Sequence, residues 1–250
     1  MAAKIFLHAC RMVFGNFSEV VRLTLVLGFT AQFLLLWFLT KSVLVDFQTR
    51  SLEFQRDPIA VLVGDLAAIL VNFVLMAWLA IGWHRFILLQ EYPSGIFPTW
   101  DTRRVIVYAL RALQLFGILL GIAVVSFIFL GVLGHLLSPV VTYAGLVFLY
   151  AAMGWLSFRL CLALPGMSID LPMTFAESWD KTASLNIELL LLAILTGIAS
   201  FLLSQSVAFL PVDGLLQLVL RSIVGWLTVV IGVSLFTTVY GVVIESRSLS

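Results

Sequence analysis

Apolar residues fill long stretches of this chain, and polar residues gather in the short gaps between them. The stretches run from about Val20 to Thr40, Ile59 to Gly82, Val105 to Leu133, Val140 to Leu164, Ile187 to Leu210 and Leu215 to Ile244. Each exceeds the roughly 18 residues that a helix needs to cross a bilayer. A β-barrel would instead show short segments of alternating apolar and polar residues, and these are absent. The pattern predicts an all-α, polytopic helical membrane protein: six transmembrane helices in a single integral membrane domain over residues 1–250. The sixth stretch is longer than a crossing requires, which implies tilt or projection.

Two further segments are amphipathic. Over Ala2–Phe14, Ile5, Phe6, Ala9, Met12 and Val13 fall on one side of a helix, with Lys4, His8 and Arg11 on another. Over Ser168–Asn186, Met173, Phe175, Ala176, Trp179 and Ala183 oppose Glu177, Asp180 and Lys181. Both predict helices lying in the membrane interface. Gly15-Asn16 ends the first, and Ser18 stands where it can cap the next helix, with Glu19 in its first turn. Asp46–Pro58 reads as a polar loop, with Pro58 suited to the first turn of the second span. Gly134-His135 with Ser138-Pro139, and Pro211 to Gly214, read as tight turns. The first eleven residues lack a small-residue cleavage site after an apolar run, so the first span is expected to stay in the mature protein.

Composition sharpens the class. The 250 residues are 62% hydrophobic and 11% charged, with mean hydropathy +1.14. A soluble domain carries about 25% charged residues. A net charge of +1 gives no electrostatic case for nucleic acid. Cys10 and Cys161 have neither CxxC nor Cys/His metal spacing and read as free buried thiols. His8, His84 and His135 offer no pair at ligand spacing on one helix, so no metal and no cofactor is expected. No Ser/His/Asp grouping, phosphate loop or HExxH occurs, so an enzyme is not expected.

The basic residues set the orientation. Lys4, Arg11, Arg22, Arg85, Arg103, Arg104, Arg111, Arg159, Lys181 and Arg247 fall on one side; Lys41, Arg50, Arg56 and Arg221 fall on the other. The positive-inside rule puts the larger group, and with it both termini, in the cytoplasm. The densest charge lies where the second span gives way to the third. Trp78 and Trp83 are the ring type that prefers the interface, and His84, Arg85 and Glu91 follow at once, then Asp101, Arg103, Arg104 and Arg111.

Candidate chemistry is sparse. His84, Arg85, Arg103 and Arg104 flank one loop on one side and are candidates to receive anionic lipid headgroups, because guanidinium forks match phosphate oxygens. Ordinary positive-inside anchoring accounts for the same residues. Asp65 is the one acidic residue clearly inside a span, where a carboxylate costs about 2.5–3.5 kcal/mol. It reads as an ion-pair candidate with Arg221, near the same side, or as a proton or cation site. Apart from Asp65 and the edge arginines, no polar file through the bilayer is expected. Gly117-Ile-Leu-Leu-Gly121 permits close helix approach, expected within the monomer rather than in a dimer.

Three helical hairpins starting near residues 18, 103 and 188 suggest an internal repeat, with Pro58, Pro139 and Pro211 near the three outer turns. Arg159-Leu-Cys-Leu-Ala-Leu-Pro165, followed by Phe175-Ala-Glu-Ser-Trp179, Thr182 and Asn186, resembles a pattern in a broad bacterial group of six-span proteins. That group is the membrane domain seen beside glycerophosphodiester phosphodiesterases, together with its stand-alone, uncharacterised relatives. Trp83-His-Arg-Phe-x-Leu-Leu-x-Glu91 looks like a segment of uncharacterised alphaproteobacterial relatives. The resemblance covers most of the chain and implies a six-span fold in a bacterial inner membrane. The phosphodiesterase's catalytic barrel is missing here, so no catalytic residue is carried over.

Taken together, the sequence predicts a non-enzymatic accessory or scaffold subunit that packs against other membrane protein subunits and membrane lipids. The other reading is a small transporter or lipid-handling protein that uses Asp65 or the basic edge. A transporter should gather several polar side chains at mid-membrane, whereas a scaffold should have a tightly packed, dry interior.

Overall fold

The computed structural model describes residues 1–48, 58–93, 95–210, 212 and 214–249, and among these the chain is helical with no strand. Ten α-helices follow in order: α1 (Ala2–Gly15), α2 (Phe17–Val20), α3 (Val26–Gln48), α4 (Pro58–Leu89), α5 (Thr102–Leu136), α6 (Pro139–Leu160), α7 (Ala163–Ser168), α8 (Phe175–Lys181), α9 (Asn186–Ala208) and α10 (Gly214–Val243). Among the described residues, six helical segments are long and apolar enough to cross a membrane, with mean hydropathy from 1.7 to 2.8. This is a multi-pass helical membrane protein. Most of the polar loop expected over Asp46–Pro58 lies outside the described residues, although the backbone of α3 stays helical to Gln48.

Helix ends depart from expectation where a side chain satisfies the backbone. Asn16, not Ser18, stands at the start of α2, and its amide donates to the Met12 carbonyl at 2.9 Å. A π-helical turn, Val21–Leu25, joins α2 to α3. Within it Thr24 donates to the Val20 carbonyl at 2.6 Å and accepts from Trp226 Nε1 at 2.9 Å, which pins α3 to α10. One turn later a Cβ on Gly28 would lie 2.3 Å from the Trp226 ring, so only glycine admits that ring.

The second span continues as helix to Leu89 rather than stopping at Gly82, because Trp83 and His84 are buried and not solvated. Sequence logic placed the Trp83 ring at the interface; the structure places it in the core, fully buried beside Val13, Val20, Leu23 and Phe86. α5 likewise runs on through Gly134 and His135 to Leu136, leaving only Leu137 and Ser138 between it and Pro139. The fourth span breaks at Cys161 and restarts as α7. Part of the reason is that the Arg159 carbonyl is taken by the hydroxyl of Ser178, at 2.8 Å. Pro165 adds to the break, since it has no N–H to donate.

Both amphipathic segments dock on the bundle. α1 buries Ala2, Ile5, Ala9 and Val13 against α9, α10 and neighbouring elements. Full burial of Ile5 or Val13 stabilises by about 1.5–3 kcal/mol relative to water, and of an alanine by less. α8 is short and opened by a Thr174–Glu177 capping box. Its expected apolar face is buried only in part: Met173 is buried and Phe175 packs against the core, whereas Ala176, Trp179 and Ala183 are exposed, and Ser178 and Thr182 turn inward to the α6 corner.

Packing is uneven along the bundle. The end that carries both termini, called the base here, holds the large buried side chains, drawn from α1, the start of α3, the last turns of α4, α6 and α10, and the first turns of α5 and α9. Towards the other, distal end the helices bury little. In its most apolar window α5 is only 6% buried. The Gly117–Gly121 stripe, expected to pack inside the monomer, faces open space, with nothing within 4 Å of a Cβ built at either glycine.

Candidate functional sites at the base and in the distal half

At the base, α4, α5 and α10 meet around His84. The side chain is fully buried. Its Nδ1 lies 2.8 Å from Thr237 Oγ1 and its Nε2 lies 3.2 Å from the Tyr108 hydroxyl. The Thr237 hydroxyl spends its one hydrogen on the Val233 carbonyl at 2.8 Å, so towards His84 it can only accept. Nδ1 therefore carries the proton, and Nε2 accepts from Tyr108. The result is a neutral imidazole held at both nitrogens.

The neighbouring arginines are engaged by the protein itself. Arg85 Nε donates to Glu91 at 2.7 Å, and its Nη1 reaches the Ser168 carbonyl at 3.0 Å and Asp170 at 3.3 Å. Arg104 meets the same Asp170 through Nε at 3.4 Å and Nη2 at 3.1 Å, and pairs with Asp101 at 3.3 Å. Asp101 also caps α5, accepting from the Arg104 N–H at 3.1 Å. Asp170, in the left-handed region at φ 63, is thus a shared anchor for α4 and α5. The Arg104 hydrogen bond, with both guanidinium charges nearby, holds its carboxyl below the usual carboxylate range. Arg103 is exposed and does not join this cluster.

Other basic residues close the same end. Arg22 donates to the Pro93 carbonyl and pairs with Glu19 at 3.4 Å. Arg247 folds back onto the last carbonyls of α4, Ile87 at 3.2 Å and Leu88 at 3.1 Å. The Pro98 ring seats against Gly82, where a Cβ would come within 2.4 Å of it.

Asp65 is half-buried in α4, two turns from Pro58. Arg221 does not pair with it. Arg221 is exposed instead into a cavity of about 1350 Å³ in the distal half, between α3, α6, α9 and α10. The walls are mostly apolar, with Leu36, Val147, Phe148, Ile198 and Phe201 prominent, and several of these are more than half exposed, so the cavity is open to its surroundings. Ser204 and Thr228 also line it, but their hydroxyls already donate to backbone carbonyls of their own helices at 2.8 Å. Gln32, Gln205 and Arg221 differ. Among the described residues their side chains make no hydrogen bond or ion pair.

No family model, curated protein or solved structure matches the chain. What the sites can do rests on their own geometry.

That geometry unites residues the sequence could only place separately. The two stretches quoted for the family resemblance meet in space: Arg159 bonds to the carbonyls of Thr182 at 3.2 Å and Trp179 at 2.8 Å, and to Asn186 Oδ1 at 3.4 Å. In this chain the pattern builds the corner between α6 and α8. The sequence did not show that a group of polar side chains would gather in the distal cavity. Gln32, Gln205, Ser200, Ser204 and Thr228 are uncharged, scattered over three spans, and join Arg221 only once the helices are assembled. Asp170 was also missed; its one signal is an isolated carboxylate between two helical segments. No group of three His, Cys, Asp or Glu side chains converges among the described residues.

Proposed function

We propose that this protein is a lipid-handling protein of a bacterial inner membrane, holding a membrane amphiphile in the cavity of its distal half. The cavity carries the reading. At about 1350 Å³ it exceeds the roughly 300–1,000 Å³ of a site for a drug-sized ligand. Its walls are apolar, and Gln32, Gln205 and Arg221 leave hydrogen-bonding capacity unmet there. A dry scaffold interior would have no use for them, since an unpaired polar group in an apolar setting costs about 1–3 kcal/mol. By the distribution of basic residues the base faces the cytoplasm and the cavity opens in the opposite leaflet.

The test is photocrosslinking of the purified chain with a phosphatidylcholine carrying a diazirine in its acyl chain. Adducts should concentrate on Phe148 and Phe201, in the cavity, over Val125 and Ile128, on the exposed face of α5. An even distribution over both sets would sink the reading.

A second reading, an accessory subunit that packs against another membrane protein, draws on α5, whose Gly117 and Gly121 face open space. Close helix approach at such a stripe is a known mode of association in bilayers. Replacing both glycines by isoleucine should abolish co-purification of any α5 partner and leave lipid adducts in the cavity unchanged.

A further inference from the structure

We infer that the amphiphile is anionic and that Arg221 selects it. This rests on the lipid-handling reading above and adds the class of headgroup. Arg221 lies seven residues into α10, about 10 Å along the helix from Gly214. Thr228 lies as far again towards the base. Arg221, with Ser204 and Gln205 near the end of α9, sets polar groups towards the distal end, while Leu36, Val147, Phe148, Ile198 and Phe201 supply apolar wall, the components a headgroup and its chains would need.

Charge points to the sign of that headgroup. Among the described residues, Arg221 is the one charged residue lining the cavity, and no carboxylate lines it with Arg221. Every arginine with a named role at the base is matched by a carboxylate or a row of carbonyls: Arg85 and Arg104 by Asp170, Arg22 by Glu19, Arg159 by three acceptors, Arg247 by Glu245 at 2.5 Å. Among the described residues, no partner takes up the five donors of Arg221. A guanidinium fork takes up phosphate oxygens two at a time, and the Gln32 and Gln205 amides can accept or donate to hydroxyls of the same headgroup. The apolar walls commit the site to a membrane amphiphile, not a soluble phosphate ester.

The experiment is native mass spectrometry of the full chain in mild detergent, titrated with phosphatidylglycerol or phosphatidylcholine of identical acyl chains. Wild type should retain phosphatidylglycerol about tenfold better, the worth of one charge-assisted contact. Arg221→Gln should bring the ratio to about one, and Lys181→Gln, an exposed basic residue at the base, should leave it unchanged. Gln205→Glu keeps Arg221 but puts a carboxylate in the same cavity, and should also abolish the preference; this arm decides the matter if Arg221→Gln fails to fold. Ser204→Trp, which fills the cavity, should lose both lipids. A preference for phosphatidylglycerol that survives in Arg221→Gln or Gln205→Glu overturns the anionic assignment while leaving the amphiphile reading intact. Equal retention of both lipids by Ser204→Trp and wild type overturns the amphiphile reading itself.

Discussion

Arg159 clasps Trp179: Nη2 donates to its carbonyl at 2.8 Å while the guanidinium carbon stands 4.1 Å from its ring centroid. The same arginine reaches the Thr182 carbonyl and Asn186, and Trp155 Nε1 also donates to Asn186 at 3.0 Å. One planar cation thus holds α6, α8 and α9 together, and only 4% of it is exposed. Arg159→Lys keeps the charge but loses the fork and the stacking. We expect it to lower stability by about 2–3 kcal/mol, the cost of leaving buried carbonyl acceptors unmet. Thermal unfolding in detergent reads this directly, and an unchanged melting temperature would show that the corner does not depend on the fork.

His84 gives a second test. With Nδ1 protonated towards Thr237 and Nε2 accepting from Tyr108, the ring has a fixed tautomer. Tyr108→Phe should leave Nε2 without a donor and destabilise by about 1–2 kcal/mol. In the wild type, nitrogen NMR should report the protonated nitrogen at Nδ1. A protonated Nε2 would contradict the arrangement of Thr237 and Val233.

Asp170 is the joint between α4 and α5 at the base. Its side chain is 64% exposed, so the pairs with Arg85 and Arg104 are screened, and Asp170→Asn should cost only about 1 kcal/mol. Asparagine tolerates the left-handed backbone, so the change isolates the charge. The folded carboxyl sits below its ordinary value of 3.8. Its contribution is therefore present in full above that value and is lost as pH falls through the lower folded one. The stability gap between wild type and Asp170→Asn should be constant above about pH 5 and close in stronger acid. A gap that widened on acidification would refute the assignment.

Orientation can be measured with an impermeant maleimide in a background of Cys10→Ser and Cys161→Ala. Cysteine at Leu137, in the distal turn, should label from outside. Cysteine at Thr99 or Ser248, at the base, should label only once the membrane is opened. Leu137 and Thr99 labelling from the same side would end the six-span reading.

The spans were legible because each satisfies its own backbone and must be apolar over a fixed length, so Val105–Leu133 and Ile187–Leu210 could be read within a few residues of α5 and α9. Helix ends were less so. A histidine or tryptophan beyond Gly82 looks like the start of water, yet Trp83 and His84 lie in the core once Thr237 and Tyr108 arrive from distant positions. The face of the α8 segment was read only in part: Met173 and Phe175 pack inward as expected, but Ser178 also turns inward, a polar side chain whose partner is the Arg159 carbonyl on another helix. The cavity left the faintest trace: single glutamines and serines in separate spans have no periodicity of their own. The motif around Arg159 and Trp179 was visible as a pattern, but its meaning as a corner needed the contacts.

Arg247, described above as folding back onto Ile87 and Leu88, has a consequence for the order in which the chain is made. The acceptor carbonyls leave the ribosome 160 and 159 residues ahead of the cap. His84 waits almost as long, 153 residues, for Thr237. During that interval α4 is synthesised and ready to insert, but its last turn must borrow hydrogen bonds from water or from the insertion machinery. The base can lock only when α10 and the tail emerge. Any nascent chain stalled before residue 237 would then lack both the Thr237 partner of His84 and the Arg247 cap of α4.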